Sequence, residues 1–119
     1  MTPESLVDAL RAAGFAGVVL DGGQIFARTH PAAPEFQASQ VGATWYLTLS
    51  RPVRAPVDAL AAWNTDHPTS PADIHRGETR LTLILATPAA LTLSRAHADH
   101  FTAQSQLWRR SQRQGDEGM

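Results

Sequence analysis

The chain contains no cysteine and no lysine. Without a thiol, disulfides, thiolate catalysis, iron–sulfur clusters and the usual structural zinc sites are excluded together, which leaves only His and carboxylate metal sites. All ten basic residues are arginine, so Schiff-base chemistry, a phosphate-loop lysine and pyridoxal phosphate attachment are excluded as well. Asparagine occurs once, at Asn64. With the heavy use of Ala, Arg, Thr and Pro, this is the composition of a GC-rich coding sequence, and the missing lysine carries no weight beyond its exclusions. No apolar run approaches the about eighteen residues a membrane helix needs, and Met1 to Ser5 lack the positive region of a signal peptide. The expectation is a cytoplasmic protein with no membrane contact. Charge is sparse too, at 18% of residues with a net of -1, which argues against both a disordered polyelectrolyte and a generally basic nucleic-acid binder.

What is present is 43% apolar sequence over 119 residues, one domain's worth, able to bury roughly two thirds of its unfolded surface. Thr2-Pro3-Glu4 combines a hydroxyl cap, a first-turn proline and an acid at the positive helix end, and Gly14 supplies a left-handed stop, so the first helix is expected over Pro3 to Ala13. Asp21-Gly22-Gly23 between Phe15 to Leu20 and Gln24 to Thr29 predicts a hairpin. Beyond the loop His30 to Pro34, Glu35 to Gln40 and Thr44 to Ser50 form a second hairpin, in which Trp45, Leu47 and Leu49 alternate with polar residues as in a half-buried strand. Pro56 begins a short helix with Val57, Leu60, Ala61 and Asn64 on one face, ended by Pro68 and Pro71. Ala72 to Arg76 and Thr79 to Ala86 make a third hairpin. A last helix, starting at Thr87-Pro88, Thr92 or Ser94, runs to about Arg113 with Leu93, Ala96, Phe101, Gln104, Leu107 and Trp108 on its apolar stripe. The expected architecture is a single α+β domain over residues 1–113, an antiparallel sheet of five to six strands with three helices packed on one face, followed by a frayed tail over 114–119.

Few residues point to chemistry. His97 and His100 lie one helical turn apart beside Asp99, a spacing that presents two imidazoles to a metal, but no third ligand is locatable and a polar helix flank is the stronger reading. His30, His67 and His75 have no evident pairing. Asp58, Asp66, Asp73 and Glu78 sit at a helix start, a loop, a strand start and a turn, where carboxylates have structural reasons to be. No nucleophile elbow, zinc-protease helix, dinucleotide fingerprint or phosphate loop is present. No catalytic residue, metal or cofactor is therefore assigned.

The element order, together with Trp45-Tyr46-Leu47-Thr48-Leu49-Ser50, the Ala62-Trp63-Asn64 helix end and the Thr79-Arg80-Leu81-Thr82-Leu83 strand, resembles the YbjN family, which shares the fold of type III secretion chaperones. The resemblance implies a small non-enzymatic homodimer that holds a protein partner, in a chaperone-like, regulatory or stress-related role. The chain departs from that pattern in the Pro31 to Pro34 loop with its extra strand and in lacking the acidic surface of many secretion chaperones, which argues against a secretion substrate.

For Trp45 and Trp63 a place in the core is the stronger expectation, whereas Trp108 shares its stripe with Gln104 and Ser111 and suits a dimer or partner surface equally well. The residues assigned to such a surface are Trp45, Tyr46, Leu107, Trp108 and Arg109. Arg109, Arg110 and Arg113 beside Trp108 are the alternative, a nucleic-acid patch with a stacking side chain, to which Arg51, Arg54, Arg76 and Arg80 contribute only if the sheet brings them together.

Overall fold

Thr2 starts the first helix as its hydroxyl predicts. In a computed structural model describing residues 2–87 and 90–117, with 111–117 as backbone alone, Thr2 Oγ1 accepts from the Ser5 amide at 3.1 Å. Helix α1 (Pro3–Ala12) ends at Gly14, whose φ of 86° lets two amides turn back. Gly14 donates to the Arg11 carbonyl at 3.1 Å and Phe15 to that of Leu10 at 3.0 Å, the paired bonds of a left-handed helix stop. The next turn is equally local. Gly22 and Gly23 take φ values of 58° and 81°, the mirror-image turn that matches strand twist, and join β1 (Ala16–Asp21) to β2 (Gln24–Arg28).

β3 (Phe36–Val41), β4 (Thr44–Arg51), α2 (Val57–Asp66), β5 (Ala72–His75), β6 (Glu78–Leu85) and α3 (Leu91–Glu117) follow. The six strands form one antiparallel sheet in the order β1-β2-β3-β4-β6-β5, and the fold is α+β with three helices. Strand alternation sends Ile25, Ala27, Phe36, Ala38, Trp45, Leu47, Leu49, Leu81, Leu83 and Leu85 to one face, where all are buried. Helix α1 packs there on β1 and β2, α2 on β5, and α3 on β6 and β4. Among the described residues no helix is long and apolar enough to cross a membrane.

Two helical faces differ from the sequence reading. In α2, Val57 is 81% exposed and Trp63 is 4% exposed, so the face turned inward is that of Leu60 and Trp63, not that of Val57 and Ala61. In α3 the buried positions are Leu91, Ser94, Ala98, Phe101, Ser105 and Trp108, while Leu93 and Leu107 are about half exposed, at 54% and 52%. The buried stripe keeps helical spacing but contains two serines that hydropathy passes over; Ser105 is admitted because its hydroxyl donates to the Thr102 carbonyl at 2.7 Å and accepts from Arg51 Nε at 3.1 Å. The helix also continues to Glu117, beyond the expected end at Arg113. Of its candidate starts, Pro88 lies outside the described residues and the first α-helical residue is Leu91.

Polar side chains fix the connectors. The buried Thr79 hydroxyl donates to the Val53 carbonyl at 2.7 Å and accepts from the Ala55 amide at 2.8 Å. Asn64 Nδ2 donates to the Ala72 carbonyl at 3.0 Å, and its Oδ1 accepts from the Ala72 amide at 2.7 Å. On edge strand β5 this carboxamide stands where a further strand's peptide group would pair, and so satisfies two backbone groups.

Candidate functional site

The fold leaves open the sheet face opposite the helices. Because Ile25 and Ala27 point inward, Phe26 points outward, and the strand register aligns Val19, Phe26, Gln37, Thr48 and Thr82 across five strands. A parallel row carries Ser39, Tyr46 and Ile84. These two rows hold no charged residue. Val19 and Ile84 are 53% and 40% exposed, Phe26 and Tyr46 are half-buried, and Phe26, Gln37, Thr48 and Ser50 line a shallow hollow with Glu35 and Phe36. Charge returns at the end of the face, where Arg80 makes a bidentate pair with Asp73 at 3.0 and 3.2 Å.

The five residues assigned to a partner surface do not form one. Tyr46 lies on the open sheet face. Leu107 and Arg109 are exposed on α3, which packs against the other face. Trp45 is 0% and Trp108 6% exposed; both are core residues, Trp45 by strand alternation and Trp108 because three and seven residues earlier Ser105 and Phe101 turn inward with it. Its ring meets Phe101 edge-on at 5.9 Å. Arg109 and Arg110 are exposed, and the Arg113 side chain lies outside the described residues.

Between α2 and α3 the structure assembles a cluster the sequence reading missed. Trp63 Nε1 donates to the Ser70 carbonyl at 2.8 Å, and its indole stacks on His67 at 3.8 Å between ring centroids, with His100 at 5.3 Å and Phe101 edge-on at 5.6 Å. His67 Nδ1 donates to the Trp63 carbonyl at 3.1 Å, and His97 Nδ1 shares a 2.6 Å hydrogen bond with Ser70 Oγ. The rings of His97 and His100 lie 4.7 and 5.7 Å from that of His67. The i, i+4 spacing of Trp63 and His67 was the available signal. A third imidazole thus does reach His97 and His100, meeting the first edge-on and the second at a tilt, yet no group of three ligands able to hold a metal occurs among the described residues. An adjoining pocket of about 180 Å³ is lined by Trp63, Asp66, His67, His100, Gln104 and Trp108 among others.

Burial first, and then the neighbouring His67 and His100, hold the His97 pKa below its ordinary imidazole value. The unfolded chain therefore binds more protons than the folded one as pH falls below about 6.5, and stability rises with pH in that window. The contribution is complete above about pH 6.5 and is lost as pH falls through the lowered His97 value. Urea midpoints measured from pH 7.5 downward are expected to decline below about pH 6.5, and more shallowly in His97→Gln. An unchanged slope in that variant assigns the decline elsewhere.

A second charged group stands apart. Arg51, at the end of β4, reaches α3 through its bond to Ser105. Its pKa is lowered by burial and, next, by the Arg109 guanidinium. The sheet thus brings Arg51 within the field of Arg109 on α3, whereas Arg80 is occupied by Asp73 on the other face.

No protein-family model, no curated protein and no solved structure matches this chain.

Proposed function

We propose that the protein is a non-enzymatic binding module, chaperone-like or adaptor-like in the manner of the YbjN family, which forms a homodimer through the open face of its sheet and in that form holds a protein partner. The observation that carries the reading is the one-sided sheet, whose helix-free face presents Val19, Phe26, Tyr46 and Ile84 among uncharged Thr, Ser and Gln side chains. A two-fold interface sets a patch against its own copy. A neutral patch pairs with itself without repulsion, while the Arg109 and Arg110 end of α3 repels its copy. This favours the sheet face over the last helix as the dimer surface.

Sedimentation equilibrium of the wild type and of Ile84→Glu tests the reading. The wild type is expected to be dimeric, and a carboxylate on the face is expected to weaken self-association by roughly tenfold or more. Leu107→Glu, on the opposite side of the molecule, is expected to leave it unchanged. A monomeric wild type, or a dimer broken only by Leu107→Glu, overturns the assignment of the face.

A further inference from the structure

A hollow of about 300 Å³ opens where the ends of β2 and β4 meet α3. It is lined by Arg28, His30, Ala32, Ala33, Pro34, Arg51, Thr102 and Gln106, a set with two guanidiniums, an imidazole, a hydroxyl and a carboxamide but no carboxylate. Arg28 donates from Nη1 to the Ala33 carbonyl and Arg51 from Nε to Ser105 Oγ, so each guanidinium is oriented through one nitrogen and retains further N–H donors. The loop that walls the hollow is itself anchored. Thr29 Oγ1 donates to Asp99 Oδ1 at 2.7 Å, Arg95 donates to the Thr29 carbonyl at 2.9 Å, and the Ala33 amide to the His30 carbonyl at 2.9 Å.

The charge balance here is one-sided in a chain whose net charge is -1. Among the described residues the one ion pair is Arg80 with Asp73, so no described carboxylate neutralises Arg28 or Arg51 at contact distance. Asp99 is held by Thr29 and is not part of the lining. Glu35 lines the separate hollow on the open sheet face. Burial first, and then the charge of Arg109, disfavour the charged form of Arg51. An anion in the hollow offsets both and accepts from the planar, pre-oriented donors of Arg28 and Arg51.

We propose that this hollow is a binding site for a phosphate group, held by Arg28 and Arg51 from the two strand ends, with Gln106 as a neutral donor and His30 at the wall. The opening accommodates a phosphate together with part of the molecule that carries it. Its occupant is a phosphate group, as the free anion or as the monoester of a small molecule, and the site is independent of the sheet face.

Isothermal titration with inorganic phosphate, AMP, adenosine and a short single-stranded oligonucleotide, each against a chloride control of equal ionic strength, tests this. One phosphate per chain is expected, with AMP binding and adenosine silent. Arg28→Gln and Arg51→Gln are each expected to weaken phosphate by about tenfold, and Arg109→Gln, at an exposed position outside the lining, by less. Far-UV circular dichroism separates loss of the site from loss of the fold. Phosphate no tighter than chloride, an affinity unchanged in both Arg28→Gln and Arg51→Gln, or binding of the oligonucleotide alone with a steep salt dependence overturns the proposal, the last in favour of a cationic tract that tracks a strand. Binding of phosphate but not AMP supports the site and identifies the free anion as its ligand.

Discussion

Trp45→Ala is expected to lose about 3–5 kcal/mol of stability, a large part of the roughly 5–15 kcal/mol available to a domain of this size. Trp45 is 0% exposed and stands on the central strand β4 between Gln40 of β3 and Leu85 of β6, with neighbours on both sides that no local collapse replaces. The size of the effect separates two roles. A tryptophan at a partner surface loses binding on truncation while the free domain stays nearly as stable as before. A core tryptophan takes the fold with it. Urea unfolding followed by far-UV circular dichroism measures the difference, and a midpoint within the scatter of surface variants, about 0.5 kcal/mol, would remove Trp45 from the core.

The second large effect is expected at Trp63, by two separable routes. Its indole is the hub on which His67, His100 and Phe101 converge, and its N–H satisfies the carbonyl of Ser70, a residue 3% exposed. Trp63→Ala removes both and is expected to cost about 3–5 kcal/mol. Trp63→Phe keeps an aromatic ring in the site but leaves the Ser70 carbonyl without its donor, a loss of about 1–3 kcal/mol. Equal losses in the two variants would show that ring stacking with the histidines contributes little beyond the hydrogen bond. Because Ser70 also holds His97, the Trp63 variants are expected to change the pH dependence of unfolding as well, and His97→Gln in the Trp63→Phe background reports whether the two act as one unit.

The elements most legible in the sequence are those decided within a few residues. The Thr2 cap, the Gly14 stop and the Gly22–Gly23 hairpin depend on hydrogen bonds and backbone angles set by neighbours, and each stands where its residues placed it. Alternation on β4 and β6 was likewise enough to turn Trp45, Leu47, Leu81 and Leu83 inward, since a strand has only two faces. Helical faces were harder to read. On α3, Leu93 and Leu107 suggested a stripe by hydropathy, but the sheet selected the side that carries Ser94 and Ser105, where the Ser105 hydroxyl bonds to the helix and to Arg51 and so costs little when buried. The motif Trp63-Asn64 was visible as a string, whereas its use, an indole on one turn and a carboxamide on the edge of β5, depends on the loop that returns Ser70 and Ala72 to α2.

By itself the sequence determined the class of the fold, the order of its elements with one strand left open, and the chemistry the chain forgoes, because composition and short-range stereochemistry suffice for these. Tertiary structure alone decided which side chains meet. It left one face of the sheet without helices, set His67 against His97 and His100, and carried Arg51 to Arg109 across 58 positions of sequence. Such contacts follow from strand order and helix rotation, which depend on the packing of the whole core and leave no local pattern to read.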